Sequence, residues 1–242
     1  MMTLYELTSS ILLPVLPVLR STIRRELRKA IKQYDNPSIL DVGGRRSPYT
    51  IGAGADIVIL DLPRENEIQS GSDLGLTQSI MADVQNRRSN IKQIILEDMT
   101  QTTLPDASFD IVLAVEVIEH VEHDVAFIKQ VHRVLKPGGT LILSTQNADH
   151  PTRRQPTDPK DFRFYTRQQM VDLLADFTDV NVEYAIPVGK HFSWGLNSWS
   201  LRAPRQTLRS AYGNLVNHFQ AADPKLRTQA IGTRHLIAVV RK

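Results

Sequence analysis

Ser38-Ile39-Leu40-Asp41-Val42-Gly43-Gly44 is an apolar run that stops on an acid and two glycines, and a second apolar run, Ile57-Val58-Ile59-Leu60, stops on Asp61. Short apolar runs bounded by turn residues are the pattern of parallel strands buried on both faces. Glycines after the first strand let backbone N–H groups approach a ligand, and an acid closing the second accepts hydrogen bonds from ribose hydroxyls. Together they read as a nucleotide-binding half-site. A glycine turn with a later acid also occurs in dinucleotide reductases and in α/β domains that bind nothing, so the rest of the chain has to choose.

Outward from this unit the pattern alternates. A helix is expected over Thr22 to Gln33, strands near Ile94, Ile111 and Leu141, and helices from Leu74 to Arg88 and from Asp124 to Leu135. Two late strands follow at Val180 to Pro187 and His235 to Arg241, with a helix over Gln206 to Phe219 between them. Such alternation builds a doubly wound α/β sheet with right-handed crossovers, and ligands collect at the carboxyl ends of its strands.

The choice is made by Leu96-Glu97-Asp98-Met99, then Leu104-Pro105-Asp106-Ala107-Ser108-Phe109-Asp110, Glu116-Val117-Ile118-Glu119-His120 and Leu135-Lys136-Pro137-Gly138-Gly139. On these motifs the stretch from Ile39 to Thr166 resembles the class I S-adenosylmethionine-dependent methyltransferases of the type 11 group. The resemblance implies a Rossmann-like, seven-stranded, mostly parallel sheet with helices on both faces and one antiparallel strand. It implies S-adenosylmethionine as cofactor and S-adenosylhomocysteine as product. Asp41 and Gly43 would line the methionine part, Asp61 would hold the ribose, and Asp98 with the Met99 backbone would read the adenine edge. Gly44, Leu62 and Glu116 complete the expected cofactor set with Arg45. Arg45 is the departure, standing where the family pattern has a second glycine. Either it points to solvent as the loop bends, or it meets the cofactor carboxylate or an anionic substrate, with Arg46 as the alternative.

Methyl transfer from a sulfonium needs in-line positioning, exclusion of water and, for some acceptors, removal of a proton. Histidine is the first choice of base near neutral pH. His120 and His123, after the fourth strand, are the candidate catalytic residues. Tyr49, His150, Tyr165, His191, Trp194 and Trp199 are candidates for the substrate pocket. Glu116, Glu119 and His120 would converge on one face if they lay in a helical turn, which makes them a candidate divalent-metal set. The same Glu-x-x-Glu-His pattern resembles metal-assisted O-methyltransferases of ubiquinone biosynthesis and of small-RNA 3′ ends, in which Asp161 here often corresponds to a histidine. Many methyltransferases share the pattern without a metal role, and the metal-free reading is preferred.

The 242 residues, 41% hydrophobic and 23% charged, describe one globular domain. Residues 1–35 are expected as an N-terminal lid, 36–188 as the cofactor-binding core, 189–234 as a substrate cap and 235–242 as the last strand. With no cysteine there are no disulfides, thiolate metal sites or cysteine nucleophile. The net charge is +3, and the basic residues are spread over Arg20 to Lys32, Arg153-Arg154 and Arg202 to Arg209, which is no nucleic-acid footprint. Ile11 to Leu19 is too short to span a bilayer and lacks the features of a secretory signal. It reads as part of the lid, with a membrane-surface contact as the alternative. The expectation is a cytoplasmic enzyme, its oligomeric state open with a homodimer possible, that methylates a hydroxyl of a small natural-product-type acceptor. RNA 2′-O-methylation and non-catalytic binding of an adenosyl ligand are the alternatives. A nicotinamide-dependent reductase is disfavoured by the absent Gly-x-Gly-x-x-Gly spacing.

Overall fold

The computed structural model describes residues 3–63, 75–152, 155–156, 158–188, 190–195 and 202–242. Its strands are β1 (Ser38–Val42), β2 (Asp56–Asp61), β3 (Ile91–Leu96), β4 (Phe109–Val115), β5 (Leu135–Gln146), β6 (Thr178–Pro187) and β7 (Thr233–Arg241). They form one seven-stranded sheet in the order β3-β2-β1-β4-β5-β7-β6. β1 to β5 pair in parallel, and β7 runs antiparallel to both β5 and β6. The strand order reverses between β1 and β4, which opens a crevice above their carboxyl ends.

The helices are α1 (Leu4–Ile11), α2 (Val18–Ile31), α3 (Gln78–Arg87), α4 (Asp124–Val134), α5 (Arg167–Leu173), α6 (Lys190–Gly195) and α7 (Pro204–Ala221). Successive strand residues point to opposite faces, so Ile39 and Leu40, or Ile111 and Val112, feed different core layers. One layer packs Phe127, Val131 and Val134 of α4 and Met170 of α5 against Leu40, Val112 and Leu141. The other packs Ile23, Leu27 and Ala30 of α2 and Val84 of α3 against Ile39, Ile57, Ile111 and Ile142. Ile23, Leu27 and Ala30 recur at helical spacing, and each large side chain so buried contributes roughly 1.5–3 kcal/mol.

Boundaries differ from the sequence pattern in ways the local chemistry explains. α2 starts at Val18, immediately after Pro17, because proline is tolerated at a helix start. α3 starts at Gln78, where the Thr77 hydroxyl accepts from the Ile80 N–H; Leu74 lies outside the described residues. Among the described residues, no helix is long and apolar enough to cross a membrane.

The amino-terminal segment packs on the late helix. Asn214 Nδ2 donates to the Val15 carbonyl at 2.9 Å, and His218 Nε2 lies 3.0 Å from the Leu16 carbonyl. The Arg24 guanidinium, buried in α2, donates to the Ile51 carbonyl at 2.8 Å.

Candidate active site

β1 ends in a turn that only glycine fits. Gly43 has a φ of +68°, in the left-handed region, and a Cβ placed there would stand 2.9 Å from Val117 Cγ2. A Cβ on Gly44 would fall 2.8 Å from the Asp41 carboxyl carbon. Asp41 therefore lies beneath the turn. Its Oδ2 accepts from the Thr50 hydroxyl at 2.6 Å, and Arg88 donates to that same hydroxyl at 2.6 Å. Burial raises the Asp41 carboxyl above the ordinary range, against the pull of Thr50 and Arg88.

The next two strands bring acids to the same rim. Asp61 Oδ1 accepts from the Leu62 N–H at 2.9 Å, and Arg45 Nε lies 4.0 Å from Asp61 Oδ2. Asp98 Oδ1 accepts from the Thr100 N–H at 2.8 Å and starts a short 3-10 turn that buries Met99. These elements enclose an open cavity of about 410 Å³ whose wall includes Gly43, Arg45, Asp61, Leu62, Asp98, Met99 and Glu116. Val117, Val121 and Phe127 supply an apolar side. Asp41 and Gly44 stand behind that wall. Arg45 does not point to solvent: its side chain is about nine-tenths covered, and it folds along the cavity, where it also donates to the Gly75 carbonyl.

Beyond β4 the chain is bent by Glu116, whose φ is +54°. A non-glycine residue in that region is strained, and here the side chain is clamped. Glu116 Oε1 accepts from the Ser144 hydroxyl at 2.7 Å; Oε2 accepts from Gln146 Nε2 at 2.5 Å and lies 3.1 Å from His235 Nε2. Burial alone would raise this carboxyl, but His235, Ser144 and Gln146 together hold it below the usual value. Glu119, buried beside Thr145, is pushed the other way, first by burial and then by the negative charge of Glu116. The two neighbouring carboxyls are thus shifted in opposite directions, because the imidazole, hydroxyl and amide around Glu116 outweigh its burial while Thr145 does not outweigh that of Glu119.

His120 closes this side of the site. Its Nδ1 lies 2.8 Å from Asp161 Oδ1 and 3.3 Å from the Lys160 carbonyl. A second cavity of about 500 Å³ includes Gln146, Thr152, Asp161, Phe164 and Arg234 in its wall. Glu116, His120 and Lys160 belong to both walls.

The helical-turn premise behind a Glu116, Glu119 and His120 metal set does not hold. Glu116 is left-handed and only Ile118–His120 forms a 3-10 turn. Among the described residues, no group of three or more His, Cys, Asp or Glu side chains is placed to hold a metal ion.

Several pocket candidates stand elsewhere. Tyr165 is core, its hydroxyl donating to Asp124 Oδ2 at 2.8 Å, because the helix start at Asp124 faces it. Tyr49 packs into the α2 layer. His123 is exposed at the start of α4, and His150 bonds Thr152. His191 and Trp194 meet edge to face, with the Arg209 guanidinium 4.2 Å over the Trp194 ring. Trp199 lies outside the described residues. Among the described residues, 3–35, 190–195 and 202–232 line neither cavity, since the amino-terminal segment and α7 pack on each other.

Gln146, His235, Lys160, Arg234, Val121 and Phe127 were not anticipated. Gln146 and His235 meet because they are register partners across β5 and β7, a fact of strand pairing that carries no local sequence signal.

The family model described as a methyltransferase domain matches residues 49–143. This match and the relatives below support a class I S-adenosylmethionine-dependent methyltransferase. The chain is 31% identical over 114 residues to the mitochondrial ubiquinone biosynthesis O-methyltransferase of Dictyostelium discoideum, covering 46% of the chain and 35% of the relative. It is 32% identical over 107 residues to a "probable S-adenosylmethionine-dependent methyltransferase" of Mycobacterium tuberculosis, covering 43% of the chain and 39% of the relative. The matched regions thus span little more than a third of these relatives. In fold it is similar to the solved structure of Haemonchus contortus phosphoethanolamine N-methyltransferase 2 in complex with S-adenosyl-L-methionine, with a TM-score of 0.61 and 16% identity, covering 92% of the chain and 52% of that structure.

The cofactor of this family is S-adenosylmethionine, and the methyltransferase's residues fit it. The Gly43 turn presents backbone to the cavity, Asp61 suits ribose hydroxyls, Asp98 and the Met99 backbone stand one strand further along, and Val121 with Phe127 offer an apolar surface to a purine.

Proposed function

We propose that the protein transfers a methyl group from S-adenosylmethionine to a hydroxyl oxygen of a small organic acceptor. The observation that carries this reading is His120, on the wall shared by the two cavities, with its Nδ1 2.8 Å from a carboxylate. With Nδ1–H turned to the Lys160 carbonyl at 3.3 Å and the Asp161 carboxyl beside it, Nε2 is left as proton acceptor. When bound, the cofactor supplies an electrophilic methyl on a sulfonium, and transfer leaves a neutral thioether. Gly43, Asp61 and Asp98 hold and orient it. Glu116, clamped by β5 and β7, fixes the floor between the two cavities. His120 takes the hydroxyl proton as the acceptor oxygen forms its bond to carbon. The printed name of the Dictyostelium relative, an O-methyltransferase, supports oxygen as the target.

Calorimetric titration with S-adenosylhomocysteine tests the cofactor half: saturable binding is expected, weakened at least about tenfold by Asp61→Ala through loss of charge-assisted hydrogen bonds. Label transfer from S-adenosylmethionine to a panel of hydroxylated small molecules tests the other half. His120→Ala should lower kcat by about 10²-fold or more with cofactor affinity intact. Absence of saturable binding, or turnover indifferent to His120, overturns the reading.

A further inference from the structure

Helix α7 is built inside out. Its buried face is small and polar: Ser210, Asn214 and Asn217 are 0%, 2% and 2% exposed, with Gly213 beside them. That face is satisfied by hydrogen bonds, Asn214 Nδ2 to the Val15 carbonyl and Asn217 Nδ2 to the His191 carbonyl at 3.2 Å. Leu208, Tyr212, Leu215 and Phe219 recur at i, i+4, i+7 and i+11, which places them in one stripe on the opposite side of the helix. Leu208 is 70% and Phe219 74% exposed.

α1 repeats the arrangement. Glu6 and Ser9 are buried, with Glu6 Oε1 accepting from the Ser89 N–H at 2.9 Å, while Leu4 and Ile11 are 77% and 66% exposed with Leu7 between them. The turn Leu13–Val15 that follows α1 rests on α7. A helix that ends in water does the reverse, burying its apolar stripe and showing its polar one.

Charge chooses what covers the stripe on α7. From Val188 to Ala222 there is no acidic residue, whereas Arg205 and Arg209, both exposed, flank the stripe on one side. An isologous dimer through this stripe would press those arginines together with no carboxylate on the segment to meet them. A surface that is apolar below and anionic above takes both features at once.

We propose that α7, assisted by α1, docks this protein on an anionic lipid surface. The apolar stripe enters the acyl boundary and Arg205 and Arg209 engage headgroup phosphates. The protein lies on the membrane without crossing it.

The test is co-sedimentation of the full chain with phosphatidylcholine vesicles and with mixed phosphatidylcholine–phosphatidylglycerol vesicles. Binding to the mixed vesicles, weakened by salt and absent on phosphatidylcholine alone, is expected. Each headgroup-facing cation accounts for about fivefold in partition, so Arg205→Glu with Arg209→Glu should cost at least about tenfold. Leu208→Ser with Phe219→Ser should abolish binding, and circular dichroism should be unchanged in both pairs because the altered side chains are exposed. Failure to bind mixed vesicles, or binding that survives both double variants, overturns the proposal. So does a concentration-dependent dimer in sedimentation velocity that Leu208→Ser with Phe219→Ser dissolves, which would assign the stripe to a second copy.

Discussion

Arg45 Nε lies 4.0 Å from Asp61 Oδ2, with both side chains about nine-tenths covered. The acid that suits the cofactor ribose therefore already faces a guanidinium, and that cation shares the cavity wall with it. A bound sulfonium adds a second positive charge nearby. Replacing Arg45 by alanine removes both the competitor for Asp61 and the like-charge repulsion, worth about 1 kcal/mol together. The expected outcome is roughly fivefold tighter S-adenosylmethionine binding and a smaller gain for the uncharged-sulfur product, read by calorimetry. Weaker binding of both would place Arg45 on the cofactor carboxylate instead.

Gly43→Ala combines a strained φ with a 2.9 Å approach to Val117. A side chain in that backbone region costs about 1–2 kcal/mol before any clash. The variant should melt lower by several degrees and lose cofactor affinity. An unchanged melting curve with intact binding would show that the turn relaxes freely.

Glu119 carries a pH signature. Its carboxyl is raised well above the ordinary 4.5, first by burial and then by Glu116. The folded state thus holds a proton that the unfolded state gives up. Its contribution is fully present below the unfolded value and is lost as pH rises through the folded one. Glu119→Gln should be more stable than the parent near neutral pH, and the gap should close toward about pH 4.5. Thermal melts of both proteins over that interval check it, and a gap that stays constant with pH would mean Glu119 is ionised in the fold. Glu116, lowered, acts with the opposite sign: its contribution is fully present above the unfolded value and is lost as pH falls through the folded one.

Asp161→Asn tests positioning apart from binding. The substitution removes the carboxyl 2.8 Å from His120 Nδ1 and with it the stabilisation of the imidazolium formed on proton uptake, so kcat should fall by about 10–100-fold while the dissociation constant of S-adenosylhomocysteine stays put. A change confined to the acceptor KM would make Asp161 a substrate contact.

Tyr165→Phe removes the hydroxyl that donates to Asp124 at 2.8 Å; Asp124 keeps its Arg163 partner at 2.7 Å. The loss should be about 1 kcal/mol, a fall of about 2–4 °C in Tm, with cofactor binding untouched. A fall in cofactor affinity instead would bring Tyr165 into the site.

The strands were legible because buried parallel strands are apolar on both faces, as Ile39-Leu40 and Ile111-Val112 are. Asp61 and Asp98 could be placed at the rim for the same reason: each closes such a run. Glu116 was placed there by the resemblance, but its bend was not legible, since Glu-x-x-Glu-His has helical spacing and nothing in it announces a left-handed residue. The helix over Gln206 to Phe219 was expected, but its sequence does not say which side of it meets water. That side was decided by Asn214 and Asn217 reaching Val15 and His191, residues far away in the chain.

β7 runs between β5 and β6, and from it His235 reaches Glu116. The sheet's penultimate position is thus filled by a strand that follows the other six in the chain. Until Thr233–Arg241 threads into place, β5 offers a bare edge and β6 has no neighbour. During synthesis the rim at β1 and β2 can form early, whereas the clamp on Glu116 waits until β7 has been made.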